Sequence, residues 1–174
     1  HGLADAKEDI KDCDIYIITV PTPIDKFKKP NLKSLKLASE LVGSVISRSN
    51  LVIYESTVYP GCTREECIPI IEKKSQLKLN TDFLCGYSPE RINPGDKINT
   101  LRNITKIVSG SNEEALNLVS NIYSKILSEA KTFSVSSIEV AEAAKVIENT
   151  QRDLNIAFVN ELALIFDKLD INTQ

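Results

Sequence analysis

Lys145, Asn149 and Arg152 have a spacing that brings their side chains together on one face of a helix. No Pro or Gly interrupts residues 136–170, and Ser136 opens a capping-box pattern, so the sequence predicts one long helix. At roughly 100° per residue, the three polar side chains lie within about 60° of one another. An ammonium and an amide that converge in this way can stabilise negative charge that develops on an oxygen atom.

The predicted helix also carries apolar side chains along two of its sides. They are Ile147, Leu154, Ile156, Phe158, Val159, Ala163, Ile165 and Phe166. A helix that is apolar on two sides is expected to pack between layers, which would direct the polar stripe inward. Buried cations are costly unless anions or acceptors meet them, so we expect a ligand site at this stripe. A solvated polar patch is the alternative interpretation.

The elements that position this helix alternate between apolar, β-branched segments and helical patterns. Strands are predicted at residues 15–20, 51–55, 82–87, 106–109 and 132–135, and helices at 32–48, 63–75 and 112–127. Strands that alternate with helices through short connections indicate an α/β fold with a mostly parallel, doubly wound sheet. In such sheets, ligands bind beyond the carboxyl ends of the strands.

Three of the predicted strands end in Thr, Ser, Pro and acidic residues. These ends are residues 20–23 (VPTP), 55–57 (EST) and 88–91 (SPER). Any one of them can be an ordinary turn, but three at one edge of a sheet predict a binding site. No GxGxxG pattern is present, so the phosphate-binding turn of a dinucleotide site would have to precede His1.

The composition argues against several classes of partner. The 174 residues carry a formal net charge of −3, which disfavours nucleic acid or a membrane surface as partner. No apolar run is long enough to span a bilayer, and no signal-peptide pattern is present. Four cysteines without CxxC spacing and a single histidine predict no metal site and reduced, cytoplasmic thiols. Both ends fall close to predicted elements, so we expect an internal piece of a longer protein.

Four motifs, in order along nearly the whole chain, resemble the UDP-glucose/GDP-mannose dehydrogenase family. They are VPTP (residues 20–23), ESTVYPG (55–61), YSPERINPGD (87–96) and AEAAKVIENTQRD (141–153). The third motif departs from the UDP-glucose branch, which carries a second glutamate where this chain has Pro94. Its Arg-Ile-Asn-Pro-Gly pattern is similar to that of bacterial UDP-N-acetylhexosamine 6-dehydrogenases of capsule and O-antigen synthesis.

The resemblance implies a cytoplasmic, NAD-dependent enzyme that oxidises the C6 alcohol of a UDP-N-acetylhexosamine to a uronic acid with two NAD. Residues 1–135 would form the C-terminal part of its NAD-binding domain. Residues 136–174 would begin the central helix through which such enzymes form homodimers. The family's catalytic cysteine, in a Gly-Gly-x-Cys motif, and its UDP-sugar domain would lie outside this chain, so we expect the chain alone to be inactive.

The resemblance also implies cofactor-binding residues. Pro21, Thr22, Ser56 and Thr57 occupy the motif positions that border NAD in the family. Thr57 would in addition help to hold a water molecule near the reacting carbon.

The remaining motif positions imply substrate-binding and catalytic roles. Glu90 would face the sugar and act as general acid and base in hydrolysis of the thioester. Lys145 and Asn149 would lie beside the oxygen on C6, in agreement with the charge that their side chains can stabilise. Arg91 and Arg152 would contact the substrate, because a guanidinium makes forked contacts to oxygen atoms.

Two other functions remain open at this point. A single-step dehydrogenase of the hydroxyacid or 6-phosphogluconate type also places a Lys and an Asn one turn apart on a helix, and a downstream Gly-Gly-x-Cys would exclude it. A non-catalytic α/β binding module would keep the same fold without its chemistry.

Overall fold

The structure, a computed structural model, describes residues 3–90, 104–127 and 131–173. Its strands are β1 (Ile15–Ile18), β2 (Leu51–Tyr54), β3 (Leu84–Tyr87), β4 (Lys106–Gly110) and β5 (Thr132–Ser134). Its helices are α1 (Leu3–Ile10), α2 (Lys33–Gly43), α3 (Ile68–Ser75), α4 (Glu113–Ile126) and α5 (Ile138–Lys168), and a π-helical turn (Thr63–Cys67) leads into α3. The predicted α/β class, with a long helix at the end, is confirmed.

The sheet has the strand order β1-β2-β3-β4-β5. Three of its pairings are parallel, and β3 and β4 are antiparallel, so the sheet is mostly parallel, as predicted. An antiparallel neighbour needs no crossover over a face of the sheet, so β4 can enter the sheet from the edge at which β3 ends. As a result, β4 begins at the edge of the sheet where β1, β2 and β3 end.

Two apolar clusters lie on the two faces of the sheet. The first is centred on Tyr54, Tyr87 and Ile71 and includes Ile138 from α5. The second packs α4 against the sheet through Val108 and Val119. The strand β2 is buried on both faces, as its unbroken apolar sequence predicts.

The helices α4 and α5 begin at side-chain caps. Asn112 accepts a hydrogen bond from the backbone N–H of Ala115 at 2.8 Å, and Ser137 accepts one from Val140 at 3.3 Å. The predicted start at Ser136 is therefore one residue early, because the hydroxyl that caps α5 belongs to the neighbouring serine.

The predicted burial of α5 on two sides is wrong within this chain. Ile138 and Ala141 are buried in the first turn, but Ile147 is 66 % exposed and Phe158 is 63 % exposed. The reason is geometric, since α5 packs against β3 and β4 through its first turns and then runs past the sheet. The described part of the chain places no element against the apolar sides of residues 146–168.

Candidate functional site

The carboxyl ends of β1, β2 and β3 lie side by side. The strand register pairs Ile18 with Tyr54 and Tyr54 with Tyr87, so the three chain segments that follow also lie next to one another. These segments carry Thr22, Thr57 and Glu90. The structure therefore brings together the three strand ends that the sequence assigns to one binding edge.

Hydrogen bonds tie the first two of these segments together. Ser56 donates its hydroxyl to the carbonyl of Val20 at 2.6 Å, and Thr22 donates to the carbonyl of Thr57 at 2.5 Å. The hydroxyl of Tyr87 donates to the carbonyl of Ser56 at 3.1 Å. The hydroxyls of Ser56 and Thr22 thus act on the backbone and shape the edge on which Thr57 is exposed.

Pro21 is exposed beside Thr22, so both lie at a surface that a dinucleotide could reach. A cofactor would meet Pro21, Thr22 and Thr57 there. Ser56 is buried, and its side chain already has a backbone partner. The predicted contact of Ser56 with NAD is therefore limited to its backbone and stays a prediction.

A buried ion pair lies at the same edge because β4 is antiparallel. Lys106 is 3 % exposed, and its Nζ lies 3.1 Å from Oε1 of Glu55. The Nζ also lies 4.8 Å from the ring centroid of Tyr123, whose hydroxyl donates to Glu55. Burial and then the charge of Glu55 raise the pKa of Tyr123, and the charge of Glu90 adds to this shift. This cluster therefore lies within electrostatic reach of Glu90.

Contacts between α5 and the segment after Thr57 dock the helix onto this edge. Glu142, fully buried, accepts hydrogen bonds from the backbone N–H groups of Gly61 at 2.6 Å and Thr63 at 2.9 Å. One turn earlier, Glu139 pairs with Arg64 at 2.6 Å. The two contacts place the start of α5 against the start of the π-helical turn.

The polar stripe of α5 lies beyond this docking point. Lys145 and Asn149 are half-buried, whereas Arg152 is exposed and pairs with Glu148 at 3.2 Å. The inward orientation expected of the whole stripe is therefore wrong for Arg152, because the helix has already passed the sheet at that position. Arg91 lies outside the described residues.

Cys62 and Cys85 do not have the environment of nucleophiles. A hydrogen bond with Cys67, followed by burial, raises the pKa of Cys62, and burial raises the pKa of Cys85. A nucleophilic cysteine needs the opposite shift, toward the thiolate. Cys62 and Cys85 are therefore structural side chains.

The sequence of this chain matches two domains of one family. Residues 2–127 match the NAD binding domain of the UDP-glucose/GDP-mannose dehydrogenase family, and residues 139–174 match its central domain. The chain belongs to this family. The resemblance in the four motifs is therefore confirmed, and NAD as cofactor is confirmed by the domain that most of the chain matches.

Named proteins of the UDP-glucose/GDP-mannose dehydrogenase family are similar over nearly all of this chain. It is 60 % identical over 96 % of its length to UDP-N-acetyl-D-glucosamine 6-dehydrogenase of Salmonella typhi and 61 % identical over 96 % to protein CapL of Staphylococcus aureus. A solved UDP-D-ManNAc dehydrogenase of Pyrococcus horikoshii is 36 % identical over 95 % of this chain, with a TM-score of 0.88. The chain spans 39 % of the length of each of the three.

Within residues 3–90, 104–127 and 131–173, no helix is both long and apolar enough to cross a bilayer. The same ranges contain no group of three or more His, Cys, Asp or Glu side chains suited to a metal ion.

Sequence reasoning missed four residues of this edge: Glu55, Lys106, Tyr123 and Glu142 were given no site role. Glu55 follows β2 directly and lies in the second motif, which was a usable signal. Lys106 and Tyr123 depend on the antiparallel course of β4. Glu142 contacts two backbone amides that are far away in the sequence, so no local pattern indicates its partners.

Proposed function

We propose that the protein to which this chain belongs oxidises the C6 alcohol of a UDP-N-acetylhexosamine to a uronic acid with two NAD. The observation that carries the proposal is the shared edge, where β2 and β3 present Thr57 and Glu90 and Glu142 docks the helix that bears Lys145 and Asn149. The identity of 60 % to a UDP-N-acetyl-D-glucosamine 6-dehydrogenase supports the gluco epimer as the first substrate to test.

The side chains suit the charges of this reaction. Loss of the hydroxyl proton as the alcohol is oxidised and later attack on a carbonyl both place negative charge on the C6 oxygen, which the ammonium of Lys145 and the amide of Asn149 stabilise. Glu90 serves as general acid and base, and Thr57 holds the water molecule. Arg152 contacts the sugar nucleotide after release from Glu148, and Arg91 is proposed on its motif position alone.

The rest of the NAD-binding domain is proposed to pair with β1. This strand pairs on one side with β2, and its outward side chains Ile15 and Ile17 are 43 % and 45 % exposed. Exposed apolar side chains on an edge strand favour a further strand beside it. On this proposal, residues 1–135 are the C-terminal part of the NAD domain and residues 136–174 begin the central domain.

The exposed apolar sides of α5 support a homodimer through this helix. Leu154 and Phe158 lie on one side of the helix and Ile156 and Val159 on another, and all four are more than half exposed. Exposed apolar surface on two sides of a helix favours a protein partner. The charge balance and the reduced state expected of the thiols support the cytoplasm as the location.

The test is the stoichiometry of NADH formed per sugar by the full-length protein. The substrates are UDP-N-acetylglucosamine, its galacto and manno epimers, and UDP-glucose. Two NADH per N-acetylated sugar are expected. One NADH would indicate a single-step alcohol dehydrogenase and remove the role of Glu90, and none with any sugar would refute the proposed substrate class.

A further inference from the structure

Glu142 is a fully buried charged side chain of α5 to which the proposed chemistry gives no role. Its two carboxylate oxygens accept hydrogen bonds from separate backbone amides, those of Gly61 and Thr63. Burial raises the pKa of Glu142, and the hydrogen bonds from Thr63 and Gly61 act against that rise. These contacts offset part of the cost of burying the charge.

The two amides belong to the segment that follows Thr57. Gly61 lies four residues after Thr57 and has a φ of 94°, a conformation that side-chain-bearing residues rarely adopt. Its carbonyl accepts a hydrogen bond from the N–H of Glu65 at 2.8 Å, so Gly61 is joined to the π-helical turn. Since only three residues separate Gly61 from Thr57, a displacement of Gly61 acts on Thr57 through a short segment of backbone.

Glu142 also shares one helix face with Lys145 and Asn149. At roughly 100° per residue, the three side chains lie within about 60° of one another. Since α5 is largely exposed from residue 146 onward, the contacts of its first turns set the direction in which this face points. Glu142 thus contacts the segment that follows Thr57 (residues 58–63), and it also lies on the helix face that carries Lys145 and Asn149.

We propose that Glu142 is a positioning residue that fixes the segment after Thr57 (residues 58–63) to α5. It thereby holds Thr57, Lys145 and Asn149 in one arrangement around the reacting carbon. The catalytic part of this inference rests on the proposed function. The contacts of Glu142 with Gly61 and Thr63 can be tested without any enzyme activity.

The test compares three variants of the full-length protein. Glu142→Gln keeps the size of the side chain but has one acceptor oxygen instead of two. Its NH₂ group then faces one of the two backbone N–H groups, and two donors cannot form a hydrogen bond. Glu142→Asp keeps both oxygens on a shorter side chain. Glu139→Gln is the matched control, because it removes the exposed pair with Arg64 one turn earlier on the same helix.

Hydrogen exchange of the backbone amides measures how strongly Glu142 holds the two segments together. In Glu142→Gln, peptides that cover residues 57–67 and 143–150 are expected to exchange about 10-fold faster. Without the carboxylate contacts, these segments can open locally at a lower cost in free energy. Glu142→Asp should fall between this variant and the wild type, and Glu139→Gln should accelerate exchange far less than Glu142→Gln, because its pair with Arg64 is exposed to solvent. Wild-type exchange in Glu142→Gln would overturn the proposal, even if the full-length protein forms no NADH and the proposed function fails.

Kinetics then separate positioning from a merely structural role. Glu142→Gln is expected to lower kcat by about 100-fold, as a displacement of catalytic groups does. In a Lys145→Met background, the same change should lower kcat by a smaller factor, since one of the three groups that Glu142 positions is gone. An equal factor in both backgrounds would show that Glu142 acts on stability alone and would overturn its positioning role.

Discussion

The two halves of α5, residues 138–152 and 153–168, have opposite surroundings. In the first half, Ile138 and Glu142 are buried, and two acidic side chains reach the π-helical turn. In the second half, Leu154 and Phe158 are at least 60 % exposed. The second half carries more large apolar side chains than the first and is nevertheless the more exposed, so the difference comes from the tertiary contacts.

This difference separates two tasks along one helix. The first half is held by contacts within the chain, which is what side chains that must meet a substrate require. The second half offers an apolar surface whose partner must come from outside the described residues. The two halves should therefore respond differently to substitution, the first in activity and stability and the second in association.

The largest effect is expected at Lys145, in the first half. Lys145→Met removes the ammonium beside the C6 oxygen and should lower kcat of the full-length protein about 10²–10³-fold, as loss of a charge-stabilising donor does. Steady-state NADH formation measures it. Lys168→Met, an exposed lysine at the far end of the same helix, is the control and should retain wild-type kcat. Equal losses in both variants would contradict the assignment of chemistry to the first half.

A large effect on stability is expected at Ile138. This side chain is 1 % exposed in the first turn, so Ile138→Ala should lower the free energy of unfolding of the chain by about 2–5 kcal/mol. Phe158→Ala, 63 % exposed in the second half, should change it by less than about 0.5 kcal/mol. Urea unfolding of both variants measures the contrast. A comparable loss in Phe158→Ala would show that the second half is covered within the chain.

Formation of the proposed dimer should depend on the second half of α5, in contrast to stability, which depends on the first half. Phe158→Asp places a charge on the exposed apolar side of α5 that carries Leu154 and Phe158. It should raise the dimer dissociation constant of the full-length protein at least about 10-fold. Gln151→Asp adds the same charge at an exposed polar position of α5 and should leave it unchanged. Sedimentation velocity over a dilution series measures both. A monomeric wild type would refute the dimer.

Most of the fold could be predicted because each element carries its own local signal. The β-branched run of β2 and the cap of α4 are properties of a few adjacent residues. The antiparallel course of β4 has no such signal, since it depends on which edge of the sheet the chain reaches after β3. The length of α5 was predicted correctly, but its burial was not, because hydrophobic periodicity shows which sides are apolar and not what covers them.

The candidate site was predictable where residues are close in sequence. Thr57, Glu90, Lys145 and Asn149 each lie in a motif that one strand end or one helix face explains. The contacts of Glu142 with Gly61 and Thr63 join residues far apart in the chain, and neither backbone amide has a signature in the amino-acid sequence. Backbone partners of this kind become visible only in three dimensions.

The smallest effect is expected from the two ion pairs of α5. Burial raises the pKa of Glu139, but hydrogen bonds led by that from Arg64 outweigh it and hold the pKa below its ordinary value. A carboxyl with a lowered pKa contributes stability above its unfolded-state value, near 4.5, and loses it as the pH falls through the folded-state value. Arg64→Gln should therefore lower stability by at most about 1 kcal/mol at pH 7, and this difference should vanish in acid.

Thermal unfolding of the chain between pH 3 and 7 tests this dependence. Arg152→Gln is the matched variant in the second half, where the i,i+4 pair with Glu148 is expected to contribute less, about 0.3–0.5 kcal/mol. The pair with Arg64 should contribute more because it joins two elements, whereas the pair with Arg152 stays within one helix. A difference for Arg64→Gln that persists unchanged at pH 3 would mean that Arg64 acts through packing of its side chain. The charge on Glu139 would then have no part in docking α5.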